Sequence, residues 1–307
     1  MMKKIIFLFF CACLQSGLYA QQDPLFSQYI FNGLVINPGY AGSHPYMTLN
    51  VLARKQWFGM DKSPSTQAIS WHGPLKSKKA GLGLILNNDR AGIIRQTDLF
   101  GSYSYHLSLP KGKLNFGLSG GLSFYRSFLS DAVIWEAGDA VYAANSISNT
   151  YPNFGAGAYY HNENYYFGIS MPRVLSYYSQ LKQGDDPTTV HRQKAHFYVT
   201  GGYMIETKSD IKIKPSALIK YVKAAPIQFD INLNLLFNNI VWAGLSFRSG
   251  DAISLNLEYQ LTRKLRVGYA YDYTISRLRY STSGSHEICI GYDFGYDIMK
   301  MKNPRYF

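Results

Sequence analysis

Along residues 265–275 the side chains alternate in character with a period of two. Leu265, Val267, Tyr269, Tyr271, Tyr273 and Ile275 fill one set of positions, and Arg266, Gly268, Ala270, Asp272 and Thr274 fill the other. A helix would scatter the first set around its axis, whereas a strand places it all on one side. The same alternation recurs at Ile253, Leu255, Leu257, Tyr259 and Leu261 against Ser254, Asn256, Glu258 and Gln260. It recurs again at Phe229, Ile231, Leu233, Leu235 and Phe237 against Asp230, Asn232 and Asn234. Ile288, Ile290, Tyr292 and Phe294 alternate with Glu287, Cys289, Gly291 and Asp293, a register that turns Cys289 inward among polar residues as a small space-filling side chain.

The connections between these segments are tight. Asn238-Asn239, Ser249-Gly250-Asp251 and Thr262-Arg263-Lys264 are hairpin turns of two or three residues. Upstream, strands are predicted near 46–57, 66–75, 79–89, 95–109, 112–128, 153–162, 163–172, 194–207 and 211–222. With the later segments the total is about fourteen. Consecutive hairpins make a meander, and a meander this long must close or leave open edges. The predicted fold is therefore all-β: a closed, antiparallel, up-and-down transmembrane barrel, whose even strand number suits a bacterial outer-membrane protein. Two long connections, 130–152 and 171–193, interrupt it, the second holding the turn cluster Gly184-Asp185-Asp186-Pro187. Residues 24–33 lack clean alternation and read as a short non-strand or helical segment, either plugging the lumen or lying at its periplasmic mouth.

The chain opens with Lys3 and Lys4, an apolar run from Ile5 to about Leu14, and Leu18-Tyr19-Ala20 as a cleavage site. That layout is a secretory signal, too short in its apolar core to anchor in a bilayer. Cys11 follows only six apolar residues with Phe10 before it, which argues against lipoprotein processing, so Cys11 and Cys13 leave with the signal. The expected organisation is 1–20 cleaved signal, 21–45 periplasmic or plug segment, and 46–307 barrel. Cys289 alone then remains and no internal disulfide is possible.

Composition agrees with a barrel. Aromatic residues make up 16% of the chain, led by 26 Tyr and 18 Phe, and charged residues are only 16%, against about 25% in an average soluble domain. Such a barrel needs aromatic girdles and an uncharged lipid-facing band. The net charge is +12, or +10 without Lys3 and Lys4. The basic residues are dispersed and the chain is exported, so nucleic acid is excluded as a partner. A basic lumen or rim facing anionic lipid or an acidic partner is the better reading.

Sites for chemistry are sparse. The seven histidines, His44, His72, His106, His161, His191, His196 and His286, show no helical metal spacing. Ser285 and His286 are adjacent on a strand and point to opposite faces. Gly81-Leu82-Gly83 and Gly155-Ala156-Gly157 lie within strand-like sequence and read as close packing rather than phosphate loops. No catalytic, cofactor or metal residue is nominated, although an acid/base pair formed across the lumen is invisible to sequence.

Several blocks carry a resemblance. Gln22-Asp23-Pro24-Leu25-Phe26-Ser27-Gln28-Tyr29 and Asn37-Pro38-Gly39-Tyr40-Ala41-Gly42-Ser43 are similar to the opening signature of the PorP/SprF family, D-P-x-F-S-Q-Y-x-x-N then N-P-A-Y-A-G, with Gly39 where Ala is commoner. Arg54-Lys55-Gln56-Trp57, His72-Gly73-Pro74, Asn88-Asp89-Arg90, Pro152-Asn153-Phe154-Gly155-Ala156-Gly157, Lys214-Pro215-Ser216, Tyr269-Ala270-Tyr271-Asp272-Tyr273 and Gly284-Ser285-His286-Glu287 extend it across the mature chain.

The resemblance implies a non-enzymatic outer-membrane component of the type IX secretion and gliding machinery of Bacteroidota. It implies docking or anchoring of a secreted, adhesin-like substrate by its C-terminal sorting domain at the cell surface. Its implied partners are that substrate, the periplasmic ring and lipoprotein components, and outer-membrane lipid. The signature segment supplies the partner-binding candidates Asp23, Pro24, Phe26, Ser27, Gln28, Tyr29, Asn32, Asn37, Pro38, Tyr40 and Gly42. A plug that stabilises the barrel is the competing role for them, and a porin or hydrophobic-solute transporter is the competing function.

Overall fold

The computed structural model describes residues 26–128, 146–183, 186–223 and 225–295. The expected signal, Asp23 and Pro24 lie outside the described residues. The strands are β1 (Met47–Lys55), β2 (Ser65–Pro74), β3 (Ala80–Ala91), β4 (Ile94–Leu109), β5 (Gly112–Phe128), β6 (Ser146–His161), β7 (Tyr165–Arg173), β8 (Tyr177–Gln183), β9 (Asp186–Gln193), β10 (His196–Tyr203), β11 (Ile205–Glu206), β12 (Ile211–Val222), β13 (Gln228–Phe237), β14 (Val241–Arg248), β15 (Ala252–Gln260), β16 (Leu265–Thr274) and β17 (Ser285–Phe294). All pairings are antiparallel. β1 pairs with both β2 and β17, and β10 with both β7 and β12, so the sheet closes on itself. The wall has fourteen strands among the described residues, as the alternation predicts.

β11 is a continuation of β10 rather than another wall strand. Both pair with β12 in one register, Gly202 with Ser216 and Ile205 with Ile213. The break falls opposite Pro215, which has no N–H to offer the ladder. Beside it, the Met204 amide donates instead to Asn164 O at 2.6 Å. The segment read as a long connection after Met171 contains a hairpin, β8–β9, in a small sheet of its own. Its base is fixed to β6: Tyr177 stacks on Tyr151 at 4.7 Å, and Asn153 Nδ2 donates to Leu175 O at 3.0 Å. β6 also begins earlier than its alternation indicates, at Ser146.

The two faces sort as the period-two pattern requires. On β16 the positions Arg266, Gly268, Ala270, Asp272 and Thr274 are buried in the lumen, and Tyr269 and Tyr273 are exposed. Outward-facing Leu84, Leu118, Ile231, Leu245, Leu255 and Ile288 belong to the lipid band. At one rim aromatics cluster, Tyr160 pairing across strands with Tyr165 at 5.6 Å and Tyr292 lying 4.7 Å from Phe294 along β17. At the other rim Phe229 and Phe247 stand 6.2 Å apart. These are the two girdles of a membrane barrel. The long connections 56–64, 129–145, 174–195 and 275–284 leave from one end, which is the cell-surface end in outer-membrane barrels. The chain enters β1 from the opposite, periplasmic end.

Candidate functional site

Residues 26–46 lie inside the barrel. They form three short 3-10 turns, Ser27–Phe31, Gly33–Val35 and Pro38–Tyr40. The last is set locally: Asn37 Oδ1 accepts from Gly39 N at 2.8 Å, and Pro38 sits where an N–H is not needed. The segment runs down the lumen from the outer third of the wall, at Asp272 and Glu287, to the start of β1.

Its upper anchor is ionic. Ser27 N and Gln28 N donate to the two oxygens of Glu287 at 2.9 and 2.8 Å. Ser27 Oγ donates to Asp272 at 2.7 Å. Arg54 closes the cluster, reaching Asp272 at 2.7 Å and Glu287 at 3.0 Å. Two carboxylates thus share one guanidinium, and the amides of the segment supply the remaining stabilisation that buried anions require. Asp272 and Glu287 are the paired carboxylates that sequence could not place. Glu287 is occupied by Arg54 and two backbone amides and Asp272 by Arg54 and the Ser27 hydroxyl, and neither faces open space.

Lower anchors follow around the wall. Asn232 Nδ2 donates to Tyr29 OH at 2.8 Å, and Asn32 Nδ2 to Ser70 Oγ at 2.8 Å. Ser170 Oγ donates to Ile36 O at 2.6 Å, and Asn37 Nδ2 to Ala158 O at 3.0 Å. Near the periplasmic mouth Ser104 Oγ donates to Ala41 O, and Gly42 N donates to His72 Nδ1 at 3.3 Å. Burial pushes the Tyr29 and Tyr40 phenols well up from their ordinary value, so both remain neutral donors and acceptors.

The apolar packing has the same centre. Each buried apolar cluster among the described residues either contains a side chain of this segment or has one packed against it. Phe26 packs with Leu52, Ala68 and Cys289; Tyr29 and Ile36 pack with Tyr198 and Leu218. Leu34, Tyr40 and Ala41 pack with Tyr159, and Phe31 lies against Met204, Leu236 and Trp242. Cys289 faces the lumen among inward polar residues, as the alternation predicts, and Phe26, Leu52 and Ala68 also pack with it. The wall makes room with glycine: a Cβ on Gly81 would stand 2.3 Å from Ala41 O, and Gly42 itself has φ of +69°.

The nine signature candidates among the described residues, Phe26, Ser27, Gln28, Tyr29, Asn32, Asn37, Pro38, Tyr40 and Gly42, are all buried here. Sequence reading missed their wall partners Arg54, Asp272, Glu287, Asn232, Ser170, Ser104 and His72. The inward phase of each strand was the available signal. Beside the segment a small cleft opens in the outer half of the lumen. It is lined by Phe26, Leu34, Ile85, Phe100 and Tyr198, with Arg173 and Asp98 joined at 2.6 Å. Among the described residues no group of three or more His, Cys, Asp or Glu side chains is placed to hold a metal ion.

The family described as type IX secretion system membrane protein PorP/SprF matches residues 18–292. The chain belongs to the PorP/SprF family. It is thus an outer-membrane component of the type IX secretion system, and its family and fold are those of a structural or transport barrel. No curated protein matches it. Among solved structures it is similar to Omp33 of Acinetobacter baumannii, at 12% identity and TM-score 0.48, covering 82% of this chain and 100% of that one. The TodX deltaS2S3 mutant, a monoaromatic hydrocarbon channel, is also 12% identical with TM-score 0.48, covering 86% and 94%. A Pseudomonas aeruginosa FadL homologue is 12% identical with TM-score 0.43, covering 81% and 90%.

Proposed function

We propose that this PorP/SprF barrel docks or anchors a secreted substrate, by its C-terminal sorting domain, at the cell surface. The periplasmic ring and lipoprotein components of the system would meet it at the opposite end. The observation that carries this reading is the filled lumen. Residues 26–46 are bonded to β1, β2, β4, β6, β7, β13, β16 and β17 and pack into or against every buried apolar cluster described. A barrel whose interior is committed to its own chain suits a rigid platform better than a conduit. On this reading the signature residues act from inside, holding the wall and rims in one shape, and partners reach them only through the two mouths.

The test is a pull-down of the protein from its native outer membrane in mild detergent, with mass spectrometry of what accompanies it. Recovery of ring components or of a large secreted protein with a C-terminal sorting domain is the expected result. A partner-free barrel that conducts ions in planar bilayers would instead establish the porin or solute-transporter function.

A further inference from the structure

The outward face of β3–β5 changes character in three steps toward the cell surface. Leu86, Leu99 and Leu122 lie side by side across the three strands and face lipid. One outward step higher are Asn88, Thr97 and Phe124. There the polar groups bond to one another: Thr97 Oγ1 donates to Asn88 Oδ1 at 3.1 Å, and Asn88 Nδ2 donates to Gln67 Oε1 at 3.1 Å. One step higher again stand three arginines in register, Arg90 opposite Arg95 and Arg95 opposite Arg126, all exposed.

Such a row needs a counter-charge. Adjacent strands lie ~4.8 Å apart, and like charges directly opposite one another destabilise a sheet. Among the described residues no carboxylate bridges to any of the three. Asp89 points inward and accepts from Thr66, and Asp61 binds the Lys62 amide in the loop above β1. The guanidinium groups of Arg95 and Arg126 each lie 4.8 Å from the Phe128 ring, which gathers the charge over one spot. Four residues separate the arginines from the leucines along the strands, a rise of ~13 Å, less with strand tilt. The passage from exposed leucines through bonded polar groups to arginines over that rise marks the exit from hydrocarbon to the headgroup zone.

We infer that Arg90, Arg95 and Arg126 form a binding site for the phosphate groups of an outer-leaflet lipid. Guanidinium forks match phosphate oxygens in bidentate pairs, and several in a row suit a headgroup bearing more than one phosphate. The acyl chains of such a lipid would run down over Leu86, Leu99 and Leu122. The site is independent of the docking function: it requires only that the barrel sit in the outer membrane with its long loops outward.

The test uses the full chain in detergent, with diphosphoryl lipid A as probe, and compares wild type with the variant carrying Arg90→Gln, Arg95→Gln and Arg126→Gln. Heat-modifiable gel mobility first establishes that both are folded. Native mass spectrometry is expected to show lipid A retained by wild type and at least about tenfold weaker retention by the variant, with phosphatidylethanolamine distinguishing neither. Monophosphoryl lipid A should fall between the two. Equal retention by both proteins overturns the site. So does arginine-dependent binding of polyglutamate without binding of lipid A, which would make the row a contact for an acidic protein. Wild type that holds inorganic phosphate as firmly as the lipid also overturns it.

Discussion

Arg54 is the residue on which the interior depends most. It is 4% exposed and is the cation shared by Asp272 and Glu287, which are 2% and 0% exposed. Removing one member of a buried ionic cluster costs more than the cluster contributes, because the partners are left charged and unpaired. Arg54→Met is expected to destabilise the folded barrel by about 3–5 kcal/mol, read from the urea midpoint in detergent. Glu287→Gln keeps one acceptor for the Ser27 and Gln28 amides and should cost clearly less. The lipid face gives a contrasting case. Leu255 is 44% exposed near the middle of β15, and Leu255→Arg should cost about 2–4 kcal/mol at the midplane by the same measurement. Lumen positions are expected from a hollow barrel to tolerate charge, but Asn256 is 0% exposed and donates to Ser246 Oγ at 2.9 Å. Asn256→Asp should therefore approach the cost of Leu255→Arg rather than be mild.

At the scale of elements, the readable parts are those governed by local rules. The alternation of β16 identified the side of every residue in it, and inward Asp272 and Glu287 followed from phase alone. Asn238 and Asn239 have φ of +50° and +56°, the paired positive angles of a type I′ hairpin turn between β13 and β14. Asparagine tolerates this conformation and a β-branched residue does not. Asn239→Gly should be neutral or slightly stabilising, and Asn239→Val should destabilise by about 1–2 kcal/mol, with refolding yield and urea midpoint as the readouts. What stayed unreadable depended on contacts distant in sequence. Ser27 meets Glu287 across 260 residues, and no local period encodes that pairing. The first two 3-10 turns, Ser27–Phe31 and Gly33–Val35, have the composition of a loop and no side-chain cap, and gain their shape from the wall. The break between β10 and β11 needed the knowledge that Pro215 would stand beside it. The packing of Phe26 with Cys289 needed the knowledge that Phe26 enters the lumen.

For the whole molecule the central point is that the barrel and its inner segment share one core. The wall alone would present Asn232, Asn256, Ser70, Ser104 and Ser170 to an open lumen, together with the charged groups at Arg54 and Glu287, and its apolar clusters would lose the segment side chains that complete or cover them. Deleting residues 26–43 while retaining the strands therefore has two separable consequences. The barrel loses Phe26, Tyr29, Leu34, Ile36 and Tyr40 from its apolar clusters and the two amide donors of Glu287, so its urea midpoint should fall markedly. Any fraction that still inserts should show step conductances in planar bilayers that the intact chain lacks, because water and ions can then enter a polar-lined channel. If deletion left conductance unchanged, the segment would not be what closes the lumen. If it left stability unchanged, the shared core would not be what holds the wall. A rigid platform requires both effects, since a segment that merely blocked the pore could leave without softening the rim on which a partner sits.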